Sequence, residues 1–132
     1  MPRRTPALLA FATVRLLAYD SQSPMHAARV VLRGVTLTTP GGATVLADSY
    51  RGKPLNSPND VVIARDGSIW FTDPHYGIMS DYEGFRSAQE LPCNVYRLDA
   101  SGGIEAVITD MACPNGLAFS PDETRLYVAD TG

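Results

Sequence analysis

An internal repeat constrains this chain more than any other feature. The segment Pro58 to Asp73, PNDVVIARDGSIWFTD, matches Pro114 to Asp130, PNGLAFSPDETRLYVAD. Pro58, Asn59 and Asp66 map onto Pro114, Asn115 and Asp122 at an offset of 56 residues. After one inserted residue, Trp70, Phe71 and Asp73 map onto Tyr127, Val128 and Asp130 at an offset of 57. A second matching pair precedes these, Val35 to Asp48 and Val95 to Asp110, each with Gly-Gly between short β-rich runs. A supersecondary unit repeated at such a period buries its apolar face by stacking on its copy.

The unit reads as strand, Gly-Gly turn, strand, Pro-Asn, strand, Asp-Gly-type turn, strand, Asp. The runs VVIA, SIWFT, NVYRL, EAVIT, GLAFS and RLYVA are short and rich in β-branched and aromatic residues. Asp66-Gly67 between two of them is a hairpin signal. No segment carries convincing helical periodicity. Four short strands per repeat is the pattern of a β-propeller, and the chain holds about two such units, whereas closed propellers have about 4–8. The fold class expected is therefore all-β: two four-stranded blades, not closed within this chain. A small independent sandwich is the alternative, and the repeat argues against it.

Composition narrows the function. The chain has 132 residues, 45% apolar and 19% charged, too hydrophobic for intrinsic disorder. Ten Pro and eleven Gly, spread along the chain, fit frequent turns. A net charge of −3 gives no basic footprint for nucleic acid, and no apolar stretch approaches the ~20 residues of a membrane span. Residues Met1 to Val14 faintly resemble a signal peptide, but Arg15 interrupts the apolar run and no clean cleavage site follows, so the expected location is cytoplasmic. Cys93 and Cys113 show no CxxC and no His/Cys spacing suggestive of zinc; they are expected to be free thiols. No GxSxG, GxxxxGK[ST] or HExxH occurs.

Asn59 and Asn115 are the leading site candidates. Each follows a proline at the start of a strand, at equivalent repeat positions. Rotation about a propeller axis would carry one onto the other, so both would face the channel mouth. Two amide oxygens there suit a hard cation such as Ca²⁺; the competing reading is turn chemistry, with Asn capping its own backbone. Asp73 and Asp130 pair by repeat and are expected to make Asx-turn bonds at a blade corner. Asp60 follows Asn59, but its counterpart is Gly116, so no ring of carboxylates forms.

Residues 44–132 closely resemble the gluconolactonase/SMP-30/LRE family. The strings that carry this are TVLADSYRGKPLNSPNDVVIARDGSIWFTDPHYGI, SDYEG, ELPCNVYRLD and PNGLAFSPDETRLYVADTG. The resemblance implies a six-bladed propeller with a divalent metal in its channel, and hydrolysis of a sugar lactone or related cyclic ester. The metal expected is Ca²⁺, with Zn²⁺ or Mg²⁺ as alternatives. Asn115 is similar to the family's metal-ligating Asn, and Asn59 to the Asn facing metal and substrate. The long segment Pro74 to Pro92 corresponds to a lid near the channel mouth, where Glu83 or Arg86 would hydrogen-bond substrate hydroxyls. His75 would act there as a proton carrier, a common role for imidazole.

Residues 1–33 lack the resemblance and read as a separate segment preceding a partial propeller over 34–132. The family's early metal-ligating Glu has no counterpart, since no Glu precedes Glu83, and the family's catalytic Asp would fall beyond residue 132. The expectation is thus an incomplete lactonase, inactive alone and prone to self-association through open blade edges. The alternatives are a non-catalytic propeller binding module or an inactive partial product.

Overall fold

The computed structural model describes residues 34–39, 42–82 and 85–132. The expectations for residues 1–33 and for Glu83 lie outside the described residues. Among the described residues, ten strands and one short helix follow in chain order: β1 (Val35–Thr39), β2 (Gly42–Ala47), β3 (Ser49–Tyr50), β4 (Lys53–Pro54), β5 (Val61–Ile63), β6 (Ile69–Asp73), α1 (Tyr76–Met79), β7 (Asn94–Leu98), β8 (Ile104–Ile108), β9 (Pro114–Phe119) and β10 (Leu126–Asp130). All pairings are antiparallel. One four-stranded sheet runs in the order β5-β6-β7-β8, and β1-β2, β3-β4 and β9-β10 each form a two-stranded sheet.

Local turn chemistry explains the hairpins. Between β5 and β6, the Gly67 amide donates to the Ala64 carbonyl and Gly67 takes φ +84°, a backbone shape open to glycine at little cost. The Asp66 carboxylate accepts from the Ser68 amide and hydroxyl and locks the turn. Asp99 does the same between β7 and β8, accepting from the amides of Ser101 and Gly103. In the hairpin from β9 to β10, Asp122 accepts from the Ser120 and Thr124 hydroxyls, and Glu123 occupies the left-handed position at φ +57° that Gly67 holds one repeat earlier.

The four-stranded sheet is packed on both faces. On one, Phe71, Tyr96 and Leu98 meet Val35, Leu55 and Leu91 in the main core, flanked by Leu46 and Tyr50. Tyr96 stacks on Phe71 and meets Tyr50 edge-on, with centroids 5.4 and 5.1 Å apart. Burial, eased by an Asn94 hydrogen bond, pushes the Tyr96 hydroxyl up to about 12. On the other face, Trp70 meets Phe119 of β9 edge-on at 5.5 Å. Alternation along β6 produces this division, because Phe71 and Trp70 point to opposite faces. Sheets stacked face to face in sequence order are the arrangement that the repeat requires.

Two points of the expected blade plan need correction. The Gly-Gly hairpins do form, over β1-β2 and β7-β8. However, the complete sheet joins the Asp-Gly hairpin to the Gly-Gly hairpin that follows it, through β6 and β7 in register from Ile69↔Leu98 to Asp73↔Asn94. The described residues thus hold one four-stranded sheet flanked by strand pairs, instead of two four-stranded blades. The reason is burial: β6 and β7 supply Phe71, Val95 and Tyr96, each fully buried, and pairing them places these side chains in the sheet's centre. The long connection from Pro74 to Pro92 does not interrupt the sheet, since it leaves β6 and returns beside it. It also contains α1, a single helical turn that periodicity did not reveal.

Candidate functional site

Asn59, His75 and Asn115 lie at one end of the sheets, where β5, β7 and β9 begin and β6 finishes. Asn59 lies two residues before β5, its amide donating to the Thr72 carbonyl at 3.0 Å. Asn115 is the second residue of β9. The two strands are joined by Asp60, whose carboxylate accepts from the Leu117 amide of β9 at 2.8 Å and from the Val61 amide at 2.9 Å. Asn59 and Asn115 therefore sit at the same end of neighbouring strands. Asn59 is exposed and Asn115 half-buried. Neither side chain hydrogen-bonds another described residue, so the reading in which each caps its own backbone does not hold here.

Asp60 is a residue whose role the sequence concealed. Its signal was the repeat mismatch with Gly116. An ideal Cβ at Gly116 would lie 3.7 Å from Asp60 Oδ2, an ordinary van der Waals contact, so the glycine packs directly beside the carboxylate.

Asp73 and Asp130 are equivalent in space as in sequence, but they do more than close local turns. Asp73 is fully buried and accepts from the amides of Asn56 and Ser57, both at 2.8 Å. Asp130 accepts from Ala112 and Cys113 at 3.0 and 2.7 Å. Each carboxylate reaches back 16–18 residues to fasten the segment leading into its own hairpin. The Cys113 amide, followed by those of Ala112 and Gly132, holds the Asp130 carboxyl below the usual range. An Asx-type contact of the expected kind runs from the Gly132 amide to the Asp130 carboxylate at 3.2 Å.

His75 turns one ring nitrogen toward two thiols. Its Nδ1 lies 3.0 Å from Cys93 Sγ and 3.9 Å from Cys113 Sγ. The three donor atoms lie within 4.8 Å of one another. Both cysteines are free, as expected, and both are buried. Burial and then the neighbouring Cys113 thiol push the Cys93 thiol up to about 11, against a lowering contact from the His75 backbone. The Tyr76 hydroxyl lies between Cys113 and Thr131, and the thiol holds it above the ordinary phenol range. Gln89 donates its side-chain amide to Cys93 Sγ at 3.6 Å. The sequence shows no His/Cys spacing suggestive of zinc, yet the fold brings these three residues together. The residues are too far apart in sequence to show as a motif, and strand pairing alone brings them together.

Along the Pro74–Pro92 connection, Arg86 is exposed and anchored through its own amide to the Asp81 carboxylate at 3.1 Å. Among the described residues, no helix is long and apolar enough to cross a membrane.

Comparison with known proteins places this arrangement. The family model for the SMP-30/gluconolactonase/LRE-like region matches residues 15–132, beginning upstream of the strings that carry the resemblance. The chain is 42% identical over 89 residues to a gluconolactonase of Zymomonas mobilis, covering 67% of this chain and 24% of that protein. It is 34% identical over 93 residues to the lactonohydrolase oryL of Aspergillus oryzae, covering 70% and 21%. The solved structure of a Xanthomonas campestris gluconolactonase superposes with a TM-score of 0.72 at 45% identity, over 76% of this chain and 35% of that one. The chain thus spans about a quarter of these curated relatives and about a third of that solved structure. Its open antiparallel sheets are those of part of a β-propeller, and the chain belongs to the SMP-30/gluconolactonase/LRE-like family.

Proposed function

We propose that this chain forms part of a six-bladed propeller that hydrolyses a sugar lactone or related cyclic ester at a divalent-metal centre. The observation that carries the proposal is the placement of Asn59 and Asn115. Their amide side chains stand at one end of neighbouring strands, unengaged by other described residues. Neutral oxygen donors that no described residue engages fit a hard cation, Ca²⁺ ahead of Zn²⁺ or Mg²⁺. When bound, such a cation supplies Lewis-acid polarisation of the lactone carbonyl.

The chain's own residues would do the rest of the work at this end. Asp60 holds β5 and β9 at a fixed spacing and so positions both amides. Arg86 and Glu83 would bind substrate hydroxyls, and His75, with Nδ1 turned to Cys93, would offer Nε2. Three carboxylates near this end, Asp60, Asp73 and Asp130, already accept backbone amides. The isolated chain is therefore expected to bind Ca²⁺ weakly, because affinity rises with ligand charge, and to show no turnover by itself. The free thiols fit a reducing, cytoplasmic setting.

A chimera tests the proposal. The matched segment of this chain replaces its counterpart in the Zymomonas mobilis gluconolactonase, and hydrolysis of gluconolactone is followed by pH-stat with and without Ca²⁺. The folded chimera should turn over substrate, and Asn115→Ala should cost at least about 100-fold, no less than an outer-shell substitution at a metal site. A folded but inactive chimera, or one indifferent to Asn115→Ala, would overturn the proposal.

A further inference from the structure

We propose that His75, Cys93 and Cys113 form a second metal site, of opposite chemical character to the oxygen site, that binds a thiophilic divalent cation of the zinc class. The site is built from three separate parts of the chain: the residue preceding α1, the residue preceding β7 and the residue preceding β9. Two sulfurs and one imidazole nitrogen are a donor set that selects zinc over calcium. The spacing fits as well. Tetrahedral zinc, with bonds of about 2.3 Å to sulfur and about 2.0–2.1 Å to nitrogen, needs its donors a little under 4 Å apart. The two histidine-to-sulfur distances are 3.0 and 3.9 Å, and all three donors lie within 4.8 Å.

Charge also favours this occupant. Both cysteines are buried, at 7% and 3% exposure, and two uncompensated thiolates in such a place would be strongly disfavoured. A divalent cation makes the cluster neutral as the two thiol protons pass to solvent. The Gln89 amide, 3.6 Å from Cys93 Sγ, would donate to the thiolate and orient it. A disulfide would use the two sulfurs and leave the imidazole unexplained. Three protein donors leave the fourth position to water or a small ligand. The metal would tie the four-stranded sheet to β9, beside the strand starts that carry Asn59 and Asn115.

The test uses the reduced 132-residue chain and zinc alone. Zinc should bind one to one, excess Ca²⁺ should not compete, and X-ray absorption at the zinc edge should show two sulfur neighbours and one nitrogen. Cobalt substitution should give a sulfur-to-metal charge-transfer band that Cys93→Ser and Cys113→Ser each weaken and that the double variant abolishes. Each serine substitution should weaken zinc binding by about 100-fold or more, and His75→Ala by about 10- to 100-fold. Absorption data on the unsubstituted chain decide the matter even if a variant fails to fold. A zinc shell of oxygen and nitrogen only overturns the proposal, as does a folded chain that binds no zinc. So does a Cys93–Cys113 disulfide that forms under reducing conditions.

Discussion

At the scale of the residue, two equivalent aspartates do similar work in different surroundings. Asp73 is fully buried and Asp130 exposed, yet each accepts from two consecutive amides. A hydrogen bond to a charged group contributes about 1.5–3 kcal/mol, and amides orphaned in the interior add a desolvation cost. Asp73→Ala should therefore lower unfolding stability by about 3 kcal/mol or more, and Asp130→Ala by clearly less, because water can replace the lost acceptor there. Urea denaturation of both variants measures the difference. Equal losses would mean that burial of the carboxylate is not what distinguishes them.

At the scale of the element, the hairpins are held by carboxylates that also make them acid-sensitive. The Ser68 hydroxyl, then the Ser68 amide, hold the Asp66 carboxyl below its ordinary 3.8. Ser101 acts likewise on Asp99, and Ser120 on Asp122. Each carboxyl is lowered in the folded state, so its stabilisation is complete above the unfolded value and is lost as pH falls through the folded one. The melting temperature should hold steady from neutrality to about pH 4 and then drop as the turns lose their acceptors. Replacing all three with Asn should flatten that acid limb. A triple variant with an unchanged acid limb would show that other groups govern acid unfolding.

At the scale of the whole molecule, the four-stranded sheet is covered on both faces, whereas among the described residues nothing covers the outer face of sheet β9-β10 at Tyr127. Sheet β9-β10 presents one face to Trp70, and its other face carries Tyr127 opposite Ala118, both exposed. Tyr127 is 58% exposed, Val45 50% and Ile63 42%. Two-stranded sheets are marginal alone, and open edges recruit other chains. The 132-residue chain should therefore self-associate with rising concentration, and Tyr127→Ser should shift that association to higher concentration. Light scattering coupled to size exclusion checks this. A monomer of 14.2 kDa at every concentration would mean that these faces do not attract one another.

The sequence alone determined the all-β class, the hairpin positions and the equivalence of Asn59 with Asn115, because these rest on local causes. A strand alternates over a few residues, and a turn closes over four, so Asp66-Gly67 declares its hairpin without reference to the rest of the chain. Tertiary structure decided where the complete sheet begins, since a periodic sequence has no origin and burial of Phe71, Val95 and Tyr96 chose the pairing of β6 with β7. It also decided that Asp60 would bridge two strands, and that His75, Cys93 and Cys113 would meet. Those contacts join residues 18 to 57 positions apart, and only the stacking of one sheet on the next brings such distant positions within bonding distance.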